Sequence, residues 1–245
     1  MRTRALIIMF WLIVPALPAN AGEGLVYRVA GEGLPTGYLV GTMHIDDPRV
    51  MGLMGRIEPL IDRVETVAIE LIPDALTMVA VGAATMLPPD QSLRAIIGDA
   101  SFEALQELAQ QHGLTAPVLD RLKPWAVAVM LGLPEAASGR SLDTDIYLAG
   151  MARQLRLVGL ETAAEQIAVF DKLPLERQAM MLEEMIKNAD ELPQQLEELT
   201  RAFLAGDLDR LDSLAREQYF GMPGYFLLKC RPESSGIIST DPLQT

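Results

Sequence analysis

Gly37-Tyr38-Leu39-Val40-Gly41-Thr42-Met43-His44 is the stretch that decides the fold. Tyr38, Leu39 and Val40 are strand formers, and Asp46-Asp47-Pro48 behind them ends the strand and opens a loop or a helix start. His44, one of two histidines in the chain, is therefore displayed just past the carboxyl end of a strand, where α/β folds place chemistry. Gly41 before it is expected to let the backbone turn tightly. Two dozen residues on, Val64-Glu65-Thr66-Val67-Ala68-Ile69 reads as a second buried strand, ending in Glu70. A histidine and a glutamate at two neighbouring strand ends are the expected start of a metal or acid/base site.

Outward from this pair, Gly24 to Ala30 and Gly37 to Thr42 read as a hairpin across the turn Gly31-Glu32-Gly33-Leu34-Pro35-Thr36. Arg49 to Arg63 carries apolar residues at a helical period, so strand, helix and strand follow one another as in parallel pairing. Asp74 to Leu131 is helical, with breaks at Leu87-Pro88-Pro89-Asp90 and at Gly113, and a helix start at Ser101-Phe102-Glu103. Leu142 to Arg153 is a further helix, and Arg156 to Leu160 a third core strand ending in Glu161. Pro174 to Leu204 reads as a long amphipathic stretch divided near Pro193, and Gly206 to Tyr219 as one more helix. The expected architecture is α/β: a mixed, largely parallel central sheet with a large helical portion.

With 245 residues, half of them hydrophobic, the chain is long enough to bury a proper core. Residues 1–21 have the make-up of a signal peptide. Arg2 and Arg4 form the basic region, Ala5 to Leu17 the apolar one, and Ala19-Asn20-Ala21 the cleavage site. The apolar stretch of about 13 residues is short of the roughly 20 that a membrane span needs. The expected location is thus the periplasm or the outside, with no stable membrane span after cleavage. A formal net charge of −13 sets the chain against phosphate backbones, so nucleic acid is not an expected partner. The single cysteine, Cys230, has no partner for an internal disulfide. Beyond Gly221 the helical period is lost, and residues 221–245 read as an atypical tail, disordered or truncated.

Four segments carry a resemblance to the TraB/PrgY/GumN family, which includes TIKI-type metalloproteases and is related in fold to ChaN and erythromycin esterase. They are Leu39-Val40-Gly41-Thr42-Met43-His44, matching its Gly-x-x-His motif; Val67-Ala68-Ile69-Glu70-Leu71; Leu122-Lys123-Pro124-Trp125-Ala126; and Ser141-Leu142-Asp143 through Val158-Gly159-Leu160-Glu161-Thr162 to Glu165-Gln166. The resemblance implies one domain over residues 22–220 and a metal-dependent hydrolase of peptidase type, acting on a peptide or protein. Its catalytic residues and metal ligands would be His44, Glu70 and Glu161, holding manganese, cobalt or zinc. The family pattern also has a second Gly-x-x-His on a late strand, whereas no histidine follows His112 here. The resemblance therefore implies a half-site and little activity. The alternative is a non-catalytic envelope protein binding a peptide, a glycan or a haem-like ligand.

Each candidate has a structural reading beside the functional one. Glu70 and Glu161 are equally carboxylates of helix caps or ion pairs. Asp143 is explained by the dipole at a helix start as well as by a supporting role. Lys123 presents a cation to the site or simply precedes a helix-starting proline, and Trp125 is core. Gln166, one turn past Thr162, supports the site at most, as Gly41 does. His112, at a helix end, is structural, and the 13 methionines are core packing.

Overall fold

The computed structural model describes residues 5–9, 24–132, 140–219 and 239–242. These divide into two compact units.

The first unit holds a six-stranded sheet in the order β5-β4-β1-β3-β2-β6. Its strands are β1 (Ala5–Met9), β2 (Val26–Ala30), β3 (Gly37–Gly41), β4 (Thr66–Ile69), β5 (Arg156–Gly159) and β6 (Ser239–Pro242). The hairpin read from sequence is present, with β2 antiparallel to β3 and Val26 opposite Val40. β3 and β4 run in the same direction, as expected, but they are not neighbours. β1 lies between them, parallel to both, with Leu6 opposite Tyr38 and Val67. So part of the segment read as a signal peptide forms a central strand, while residues 1–4 and 10–23 lie outside the described residues. The tail also departs from a uniform coil: β6 pairs antiparallel with β2 at the far edge. The remainder of residues 221–245 lies outside the described residues.

β4 is buried along its whole length, whereas β5 is only half-buried, because it is an edge strand with β4 as its one ladder partner. It is a flank of the core, not its third centre. The helical stretch after His44 is split into α1 (Pro48–Met51) and α2 (Met54–Ile61), parted where the poor helix formers Gly52 and Gly55 cluster. Asp47 caps α1, accepting from the Arg49 N–H at 2.7 Å, with Pro48 at its first position. α8 (Leu142–Ala152) packs on α2, β4 and β5. Gly150 lets it approach closely: a Cβ there would lie 2.9 Å from Leu157 Cδ2 and 3.3 Å from Val67 Cγ2. Val40, Ile57, Ile61, Val67, Leu142, Ile146, Phe203 and Leu211 fill the core.

The second unit is helical: α3 (Ala75–Ala84), α4 (Leu93–Ile97), α5 (Asp99–Gln111), α6 (Ala116–Leu119), α7 (Pro124–Leu131), α9 (Ala163–Asp171) and α10 (Leu175–Lys187). Leu93, Phe102, Leu105, Leu119, Leu131 and Leu182 form its core. α5 starts two residues ahead of the expected Ser101, behind Gly98 at φ +82°. Gly113, at φ +72°, follows it in the left-handed conformation that closes helices. The division read near Pro193 falls at Asn188, and Pro193 sits in the first turn of α11 (Leu192–Ala205). α11 runs from this unit into the first, where α12 (Leu208–Tyr219) follows. Among the described residues no helix is long and apolar enough to cross a membrane.

Candidate functional site

β3 ends at Gly41, and of the next four residues His44 alone is not buried. Thr42, Met43 and Ile45 are buried, and Thr200 Oγ1 approaches Met43 Sδ at 4.0 Å. His44 is thereby held between two anchored neighbours with its ring partly in solvent, the side chain 38 % exposed. The expected tight turn at Gly41 is absent. Its φ is not left-handed, and an added Cβ would make ordinary contact with Leu25 O at 3.6 Å. Gly41 serves as a ladder residue, donating its N–H to Leu25 O at 2.8 Å.

Glu70 follows the buried β4. The ladder with β5 continues past the strand ends, with Leu160 N–H on Ile69 O at 2.8 Å and Glu161 N–H on Glu70 O at 2.9 Å. Because β3, β4 and β5 run the same way, His44, Glu70 and Glu161 all emerge at one end of the sheet. Glu161 carries its side chain into solvent, and its charge reaches Glu70.

The third partner comes from α8. Asp143, in its first turn, places Oδ1, an atom water does not reach, 3.0 Å from His44 Nδ1. On the other side of the ring Nε2 faces Glu70 Oε2 at 3.6 Å. The closest set is therefore Asp143–His44–Glu70, with Glu161 one place removed. Sequence ranked Asp143 below Glu161, because an acid in a first helical turn is already accounted for by the dipole.

The electrostatics follow from this sandwich. Burial pulls the His44 pKa down, but the hydrogen bonds and charges of Asp143 and Glu70 outweigh it and push it up to about 9. Burial raises Asp143, yet its hydrogen bond and charge pairing with His44 hold it below the ordinary carboxylate range. Glu70 is pushed above that range, first by burial and further by the charges of Asp143 and Glu161, against the pull of His44. The cluster at neutral pH is an imidazolium between carboxylates with an excess of negative charge, an environment that attracts cations.

Among the described residues no three His, Cys, Asp or Glu side chains stand as a ready metal cage. Two donors do fit an ion. His44 Nε2 and Glu70 Oε2 are 3.6 Å apart, close to the roughly 3.4 Å that tetrahedral bonds of about 2.1 Å impose. Asp143 on Nδ1 is the carboxylate partner that ligating histidines ordinarily have.

Lys123 and Gln166 belong to the other unit. Lys123 precedes Pro124 at the start of α7 and pairs with Asp171 at 2.6 Å. Trp125 is buried, donates to the same carboxylate at 3.2 Å and stacks on Phe170 at 5.5 Å, which is the packing role expected of it. Gln166 lies in α9, whose start is fixed by the capping box of Thr162 and Glu165. Ser141, a neighbour of Asp143, was not singled out from sequence as a site residue. Its sequence signal is its place at the head of Ser141-Leu142-Asp143, part of a segment that carries the family resemblance.

No curated protein and no solved structure matches the chain. A model of the TraB/PrgY/gumN family matches residues 25–228, a span that contains His44, Glu70, Asp143 and Glu161. The match covers most of the 245 residues, and the chain belongs to the TraB/PrgY/gumN family.

Proposed function

We propose that the chain is an exported metal-dependent hydrolase of peptidase type whose site is only partly equipped, so that it binds its ion weakly and turns over slowly. The observation that carries this reading is the line Asp143–His44–Glu70, at 3.0 and 3.6 Å, at the carboxyl ends of parallel strands. His44 Nε2 and Glu70 would hold a divalent cation, manganese, cobalt or zinc, with Glu161, whose charge reaches Glu70, as a further carboxylate. The bound ion would supply Lewis-acid polarisation of a substrate carbonyl. Asp143 keeps the Nδ1 proton of His44 in place and so directs the Nε2 lone pair toward Glu70 once the ring is neutral. Glu161, open to solvent at the neighbouring strand end, would accept a proton from an attacking water. Two firm protein donors are fewer than the three that catalytic zinc sites generally use, which is the reason for weak binding.

Export is proposed on the arrangement of Arg2, Arg4, the apolar run and Ala19-Asn20-Ala21. Cleavage after Ala21 would withdraw β1 and leave β3 and β4 each with an unpaired side.

The test of the hydrolase reading is peptide cleavage by purified protein loaded with zinc or manganese. Slow, chelator-sensitive cleavage that His44→Ala abolishes is the expected result. Cleavage indifferent to both chelator and His44→Ala would refute it.

A further inference from the structure

α1 is a single turn, Pro48–Met51, with Val50 its one buried residue. One turn is too short to be stable by itself. The backbone between β3 and α1 nevertheless carries His44, and a site side chain is only as fixed as the elements that bear it. What holds α1 from outside therefore bears on the site.

That hold comes from α11. Arg49 turns two adjacent edges of its guanidinium to two carboxylates. Toward Asp47 it donates from Nε to Oδ1 at 3.0 Å and from Nη2 to Oδ2 at 2.7 Å. Toward Glu197, 148 positions away in α11, it donates from Nη1 to Oε1 at 3.1 Å and from Nη2 to Oε2 at 2.7 Å. Glu197 is itself held by Arg201, Nε to Oε1 at 2.7 Å. A lone exposed ion pair contributes little, but this one is bidentate and belongs to a network, the circumstances in which such pairs count.

The same face of α11 reaches the other side of the histidine. Thr200, three residues past Glu197 and so its neighbour on the helix surface, is buried, and its Oγ1 lies 4.0 Å from Met43 Sδ. Met43 precedes His44 and Asp47 follows it, so one helix grips the loop on both sides. All these residues belong to the first unit, and Glu197 is the first residue of α11 that does. We propose that Arg49 and Glu197 are positioning residues: their forked pair ties the His44 loop to α11 and so keeps the imidazole between Asp143 and Glu70. The inference rests on the reading that His44 is the working group of this site, and its test separates the two.

The experiment follows the Cε1–H groups of the two histidines in the metal-free full chain by 13C relaxation dispersion. This measurement reads a minor conformer that exchanges in microseconds to milliseconds. In Glu197→Ala the population of released His44 should rise about threefold over wild type, the scale of one exposed ion pair. His112, in the helical unit, should stay as in wild type. Arg201→Ala removes an ion pair from the same carboxylate without touching the loop, and should leave His44 unchanged. The double variant Arg49→Ala/Glu197→Ala should match Arg49→Ala alone, because Glu197 acts through Arg49. If Glu197→Ala does not fold, Arg49→Lys carries the test with the same rise, since one ammonium cannot grip two carboxylates as the fork does. A His44 signal in Glu197→Ala equal to wild type, an equal change at His112 or in Arg201→Ala, or effects that add in the double variant would overturn the role. Zinc titration of wild type and His44→Ala decides the other question. A wild type that takes no zinc but responds as stated removes the metal reading and leaves the positioning pair. Zinc binding lost in His44→Ala, with a His44 signal indifferent to Glu197→Ala, removes the positioning role alone.

Discussion

Asp143→Asn keeps the size of the side chain and an oxygen that can accept from His44 Nδ1, and removes one negative charge. His44 is pushed up to about 9 from an ordinary 6.5 by two carboxylates acting against burial. Asp143 makes the larger contribution and is the closer partner, at 3.0 Å against 3.6 Å for Glu70. The two carboxylates together must exceed the net rise, since burial opposes them, and Asp143 supplies more than half. Removing its charge should lower the His44 pKa by at least about one pH unit, to about 8 or below. The assay is a pH titration of the imidazole carbon protons by NMR in metal-free buffer, with His112 as the second resonance and His44→Gln as the assignment. Stability carries the same signature with a definite sign. A histidine held above its unfolded value favours the folded state fully below about pH 6.5, and that contribution is lost as pH climbs through about 9. Asp143→Asn should lessen this alkaline loss. A wild-type His44 titrating near 6.5, or an Asp143→Asn protein still titrating near 9, would refute the reasoning.

Other expected outcomes follow from the same geometry. Because an ion must displace the His44 proton, apparent zinc affinity should rise about tenfold per pH unit up to about pH 9 and flatten above it, read by titration calorimetry; a pH-independent affinity would contradict the ligand assignment. Gly150→Ala would set a methyl 2.9 Å from Leu157 Cδ2 and 3.3 Å from Val67 Cγ2, and should cost about 1–3 kcal/mol in denaturant unfolding; an unchanged midpoint would show that α8 is not seated on β4 and β5 as described. A chain beginning at Gly22 lacks β1, which pairs with β3 over Leu6–Met9 and with β4 over Ala5–Ile7. It should melt lower and self-associate through the two opened strand sides, and equal melting of the two forms would count against β1.

Much of the fold was legible because its signals are local. The hairpin, β4 and α8 were placed within a few residues by alternation, apolar runs and breakers. Asp46-Asp47-Pro48 reads as a loop or a helix start, and it is a helix start capped by Asp47; Gly113 reads as the helix end that it is. What was not legible depends on partners distant in sequence. Nothing in Ala5–Met9 distinguishes an apolar leader from a central strand, since both are short apolar runs, and only its pairing with Tyr38–Gly41 and Thr66–Ala68 separates them. The exposure of β5 likewise depends on its edge position, which Arg156-Leu157-Val158 does not encode. At the site, His44 and Glu70 were readable as residues following strands. The rank of Asp143 was not, because its acid fits a helix start for a local reason that hides the long-range one. Lys123 was named because it stands beside Pro124-Trp125, but its contact is with Asp171 in its own unit.

The central claim, that His44 and Glu70 are jointly available to one divalent cation, is tested most directly by counting ions. Metal-free protein of the full chain, dialysed against zinc at pH 8 and measured by elemental analysis, should approach one equivalent per chain as free zinc is raised. His44→Ala and Glu70→Gln, each confirmed folded by circular dichroism, should fall to background at the same zinc concentration. Uptake by wild type no greater than by the two variants would contradict the account.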